Sequence, residues 1–157
     1  MTHVQQVMTL TAIALVLSGP AMAATTDPEI IIYRFPGVRD DGNASFTGAA
    51  TAFHCTNFSG VLENIRVVIR DQNSSLVVNF PTSIPHLASE TIATKGITSF
   101  GAHVGLGTGA ISQGTAAIAA TTVNMICTAM TVDASTTAPV GVALRGIRFS
   151  PVPGSQE

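Results

Sequence analysis

Residues 64–70, Asn-Ile-Arg-Val-Val-Ile-Arg, decide the fold class. Ile65, Val67 and Ile69 alternate with Asn64, Arg66 and Arg70. Successive side chains of a strand point to opposite faces, so this period of two marks a strand with one buried and one wet face. Asp71-Gln72-Asn73-Ser74 follows as a turn, and residues 76–80 return, so the whole reads as a β-hairpin.

The rest of the chain has the same texture of short apolar stretches separated by Gly, Pro, Asn and Asp. Residues 29–35 are β-branched and end at Pro36-Gly37, a turn signal. Residues 49–58 place Phe53 and Cys55 on one face, with His54 and Thr56 on the other. Pro81 and Pro85 bracket a loop, and residues 90–95 and 97–106 read as weaker strands joined at Gly96. The glycine-rich run from Gly105 to Gly114 reads as a flexible turn region. Residues 115–132 contain an Ala run with helix propensity, but the Thr and Val content and the pattern Val123, Met125, Cys127 favour strands. A last strand covers residues 140–149, with a bulge expected near Gly146. Seven to nine strands at turn spacings near ten residues predict an all-β fold, an antiparallel two-sheet sandwich.

The amino terminus predicts export. Residues 7–17 form an apolar run of about eleven residues, a length typical of a secretory signal and too short to span a bilayer. Ser18-Gly19-Pro20 ends it and Ala21-Met22-Ala23 supplies small residues for cleavage, although the leading MTHVQQ has no Lys or Arg. Residues 1–23 are thus expected to be removed, leaving one domain over residues 24–157 that is periplasmic or secreted, with no membrane span. That domain carries all seven Lys/Arg and all nine Asp/Glu, a net charge of −2 and roughly half the usual charged share. A near-neutral surface offers no field for nucleic acid and repels its own copies weakly, so self-association or a neutral envelope or extracellular ligand is the kind of partner it fits. Trp is absent and Tyr33 is the one tyrosine, which leaves little for stacking on sugars or bases.

Cys55 and Cys127 are the two cysteines, and in an oxidising compartment they are expected to pair. A bridge over so long a loop contributes on the order of 4 kcal/mol in the loop-entropy model. A reactive pair made by His54 and Cys55 is excluded by strand geometry, because neighbours face opposite ways. Two cysteines on inward faces of an early and a late strand resemble the immunoglobulin-like arrangement in general architecture. Met125 stands where the tyrosine corner would be and no core Trp exists, so the resemblance carries no function. Pilus subunits assembled by donor strands are another small sandwich with one disulfide, but their cysteines lie closer in sequence. The strings His54-Cys55-Thr56-Asn57 and Ile126-Cys127-Thr128-Ala129 resemble those of uncharacterised secreted bacterial proteins, a likeness that implies no activity.

Chemistry-bearing residues are few. His54, His86 and His103 lack the spacing of a metal site, though they could converge in space. Asp40, Asp41 and Asn43 offer oxygens around Gly42, as calcium would require, without the ligand spacing of an EF-hand. Ser112 lies in no nucleophile elbow, and Gly105, Gly107 and Gly109 have the wrong spacing for a dinucleotide loop. Asn43, Asn57 and Asn73 each begin an N-glycosylation triplet. No catalytic, cofactor or metal residue is assigned, and the reading is a non-catalytic binding, adhesive or envelope-structural module acting through strand edges or loops such as 105–114. A small hydrolase assembled from His54, His103 and an acid is the alternative.

Overall fold

A computed structural model describes residues 30–101 and 103–149. The expected export signal lies outside these residues. The hairpin that opened the reading is β3 (Glu63–Arg70) and β4 (Leu76–Ile84). Ile65, Val67 and Ile69 are fully buried, and Asp71 Oδ1 accepts from the backbone N–H groups of Asn73 and Ser75 to close the turn. Pro81 does not break the return. It sits within β4 opposite Arg66, and β4 is an edge strand, where a missing N–H costs no ladder bond.

Around the hairpin stand β1 (Ile30–Asp40), β2 (Ala49–Asn57), β5 (Ser89–Ala93), β6 (Val104–Gly105), β7 (Ile111–Ala120), β8 (Met125–Asp133), β9 (Gly141–Leu144) and β10 (Ile147–Arg148). They form two five-stranded sheets, one ordered β10-β1-β7-β3-β4 and the other β6-β5-β2-β8-β9. Every pairing is antiparallel except β5 with β6. The two-sheet sandwich is therefore as read from sequence, with ten strands rather than seven to nine.

Four local expectations are corrected. Pro36-Gly37 does not end the first strand; β1 continues to Asp40 through register shifts at 36/38 and 38/40, with Gly37 at φ 83° absorbing the bend. The expected strand over 97–106 shrinks to Val104–Gly105. The run 105–114 is not a free loop: Leu106 and Thr108 donate to Ala93 and Thr94 carbonyls, and Ile111 to Gly114 already belong to β7. Near Gly146 there is no bulge within one strand. The chain leaves one sheet as β9 and enters the other as β10.

The core lies between the sheets. Ile32, Phe35 and Val38 of β1, the three apolar residues of β3 and Ile118 of β7 meet Phe53, Cys55, Ile92, Met125 and Cys127 of the other sheet. Phe35 and Phe53 touch across the layers, ring centroids 5.8 Å apart. Full burial of each large side chain stabilises by roughly 1.5–3 kcal/mol. The Ala run of 116–120 is a central strand because its backbone pairs with β1 on one side and β3 on the other while Ala116, Ile118 and Ala120 face the core, and this tertiary placement overrides helix propensity. A second, smaller core covers the outer face of the β2 sheet: Ala50, Ala52, Ala93, Ile97, Val132 and Ala134 pack with Phe100 and Met130.

The cysteines are bonded as expected, but not across the sandwich. Cys55 of β2 lies directly opposite Cys127 of β8 in one sheet, Cα atoms 4.2 Å apart. The immunoglobulin comparison fails here, since the bridge joins neighbours within a layer rather than the two layers.

Candidate functional site

Two ends of the sandwich gather the loops. At one end lie the connections 41–48, 71–75 and 94–96; at the other lie 58–62, 85–88 and 121–124.

The first end contains the acidic cluster that suggested calcium. The structure fills that place with the protein's own cation. Lys95 Nζ donates to Asp41 Oδ1, lies 3.0 Å from Asp40 Oδ1, and reaches the Thr47 and Asn43 carbonyls at 3.2 and 3.4 Å. Asp40 and Lys95 are 3% and 4% exposed. The carboxylate oxygens that calcium would have used are bonded to an ammonium instead. Desolvation lowers the Lys95 pKa, but the hydrogen bonds to Asp41 and Asp40 more than offset it and the net shift is upward. Asp41 is held well below the carboxylate range, first by the Lys95 hydrogen bond and then by the Ala49 N–H. Gly48 at φ 64° is required here, because a Cβ would collide with the Asp41 carboxyl.

A cleft of about 370 Å³ opens beside this end, lined by Pro36, Gly37, Arg70, Asp71, Gln72 and Gln113 among others. Arg70 donates to the Ser74 carbonyl and Asp71 caps its own turn, so both charged groups serve the backbone. Ser112 bonds Gln72 rather than a base.

The histidines do not build a catalytic unit. His103 donates or accepts at both ring nitrogens with backbone groups, the Phe100 carbonyl at 2.6 Å and the Ile97 N–H at 3.1 Å, leaving none for general-base work. His54 bonds Thr91 Oγ1 at 2.9 Å and packs edge-on against Phe100; burial lowers its pKa. His86 accepts from the Gly60 N–H at the opposite end. Among the described residues no group of three or more His, Cys, Asp or Glu could hold a metal.

The second end is apolar and exposed. Phe58, Val61, Leu62 and Leu87 are between 49% and 66% exposed, on two loops that are firmly held. Asn57 holds them. Its backbone pairs with Ala88 and Leu87, its side-chain Nδ2 donates to the Val61 and Ile84 carbonyls at 2.7 Å each, and its Oδ1 accepts from Ser59 N–H. Of the three asparagines that begin a glycosylation triplet, Asn57 is fully buried, while Asn43 and Asn73 are exposed.

Leu87 is the unusual residue of this end. Ala88 N–H donates to Pro85 C=O, closing a turn in which Leu87 holds the third position at φ 61°. Turns with positive φ there take Gly or Asn, since a larger side chain in the left-handed region costs roughly 1–2 kcal/mol. Here a leucine holds it and points an apolar side chain at solvent. Sequence reading placed residues 81–85 in a loop but had no signal for this backbone state.

The fold is shared with a protein of Thermotoga maritima. Its crystal structure, titled Thermotoga maritima 1070, superposes with a TM-score of 0.50 at 11% identity, covering 74% of this chain and 93% of that one. At that identity the likeness concerns the fold alone. No protein-family model matches the chain, and no curated protein does either.

Proposed function

We propose that this chain is an exported, non-catalytic binding domain whose apolar loop end, Phe58, Val61, Leu62 and Leu87, seats in a concave neutral groove on another envelope or extracellular protein. The Cys55–Cys127 bridge supports an oxidising compartment, and the leader-like residues 1–23 support export. One observation carries the binding reading: a strained, outward-facing Leu87 on loops otherwise well bonded. Backbone strain that persists without a packing reward points to function.

The chemistry of the occupant follows from the patch. Residues 57–62, 85–88 and 121–124 contain no Lys, Arg, Asp or Glu, and Arg148, a cation that reaches this end from β10, donates to the Val123 carbonyl, so the four apolar side chains form a patch without charges of its own and charge steering is a minor part of what it recognises. The four side chains present on the order of 300 Å², the scale at which the main apolar patch of a monomer is often functional. Two copies meeting there would bury on the order of 600 Å² in total, about half of what the smallest stable interfaces bury. A groove that surrounds the tip buries more for the same residues, which favours a concave partner over a second copy.

A photo-crosslinking amino acid placed at 58, 87 and, as control, 73 tests this in cells that export the protein. The expected result is one adduct of discrete mass from 58 and 87, absent from 73, and lost when Val61 and Leu62 are both changed to Asp. No tip-specific adduct, or binding of the purified protein to phosphatidylcholine vesicles through the same residues, would overturn it.

A further inference from the structure

We propose that Lys95 and Asp41 close into an intramolecular amide, Nζ to Cγ, with Asp40 as the proton-transferring acid, so that a second covalent tie joins the end of β1 to the end of β5.

The three groups meet where such a reaction needs them. Lys95 follows β5 in one sheet, and Asp41 follows β1 in the other. The ammonium is in contact with Asp41 Oδ1 and lies 3.0 Å from Asp40 Oδ1, in a place where the Lys95 and Asp40 side chains are nearly inaccessible and Asp41 is about a quarter exposed. Contact of nucleophile and acceptor in a fixed geometry supplies the large effective concentration that drives intramolecular reactions.

The two oxygens of Asp41 are bonded differently, and the difference assigns their fates. Oδ2 accepts from the Ala49 N–H at 2.8 Å and from Asn43 Nδ2 at 3.0 Å. Those donors would hold the negative oxygen of a tetrahedral intermediate and afterwards the amide carbonyl. Oδ1 faces Lys95 and the Asn43 N–H, so it is the oxygen that departs. Asp40 is fixed for its part by the Gly42 N–H at 2.8 Å.

The step balances without oxidant or cofactor. Asp40 takes one proton from the ammonium and passes it to Asp41 Oδ1, the freed amine attacks Cγ of the resulting carboxylic acid, and the Cγ–Oδ1 bond breaks as a second nitrogen-bound proton is relayed to Oδ1, leaving the Nζ–Cγ amide. Of the three ammonium hydrogens, one stays on the amide nitrogen and two leave with Oδ1 as water, through the exposed quarter of Asp41. Asp40 ends as it began, a carboxylate, now accepting from the amide N–H. Ion pairing holds Lys95 and Asp41 in their charged forms, so the proton transfer must occur inside the cluster. The tie has structural meaning because the disulfide lies within one sheet; this amide would bridge the two.

Intact mass of the purified, processed protein tests it directly. The expected product is lighter by one water than the disulfide-bonded sequence, yields a branched peptide joining positions 41 and 95, and returns to full mass in Lys95→Arg and in Asp40→Asn. Full mass in the unaltered protein overturns the proposal. So does a deficit that persists in Lys95→Arg or is reversed by mild base, because either result assigns the lost water to a cyclic imide at Asp41-Gly42.

Discussion

Leu87 and Asn57 show how much of this molecule is decided by single side chains. Leu87→Gly removes the left-handed strain but loosens the unfolded chain, and the two effects nearly cancel or leave a gain of up to about 1 kcal/mol. Thermal unfolding should therefore show an unchanged or slightly higher midpoint while the tip-specific adduct disappears; a marked loss of stability would mean that Leu87 packs for the fold and not for a partner. In the sequence Asn57 stands out only as the first residue of a glycosylation triplet, to which no function is attached. Its true use, tying two loops together while fully buried, needs the neighbouring strand ends Ile84 and Met125 to be in place, and no local pattern encodes that. His54 gives a second test at this scale. Burial lowers its folded pKa below the unfolded value, so the unfolded chain takes up a proton first as pH falls. Stability contributed by neutral His54 is full above about pH 6.5 and declines as pH drops below it. His54→Gln should flatten the fall in melting temperature measured from about pH 7 to about pH 5.

At the scale of elements, β2 and β8 pair without a break over nine residues, from Ala49 opposite Asp133 to Asn57 opposite Met125. The disulfide sits inside that ladder, so it reinforces a pairing that hydrogen bonds and side-chain packing already specify. Replacing both cysteines by Ser should lower stability by about 2–4 kcal/mol and leave the far-ultraviolet circular dichroism of a β-sheet protein in place. Collapse of that signal would show that the bridge is needed to form the pairing at all. Alternation made β3 readable, since it has one face in the core, and β4 followed as its return; β2 and β8 were readable from their inward residues Phe53, Cys55, Met125 and Cys127, although part of their outer face is covered as well. The ends were misjudged where tertiary placement overrode local chemistry. Pro36 lies in a strand that bends there through register shifts, and Pro81 is tolerated because β4 has no outer neighbour. In the cluster at Lys95, the acidic half was visible as Asp40-Asp41-Gly42-Asn43, but its cation comes from 54 residues further on, beyond the reach of any motif.

For the whole molecule, the question is what keeps the two layers together along the side opposite β4 and β6. One segment does this, by adding β9 to β8 and then β10 to β1, so that residues 141–148 close the edge of both sheets. The crossing point is Gly146, packed against the ring of Phe35. A Cβ there would lie 2.3 Å from the nearest ring carbon, and Phe35 is itself locked between Tyr33 and Phe53. The ring has nowhere to go, so relief must come from the segment lifting away. Gly146→Ala should therefore cost about 1–3 kcal/mol, as overpacking of a filled core commonly does. The loss should be shared between layers: hydrogen exchange should quicken at β9 and β10 and at the strand edges they cover, Ala129–Val132 of β8 and Tyr33–Arg34 of β1, while β3 and β7 keep their protection. Faster exchange in only one sheet would mean that the crossover is two independent strands. Exposed edges invite pairing between copies, so the same variant should associate at concentrations where the unaltered protein stays monomeric by light scattering.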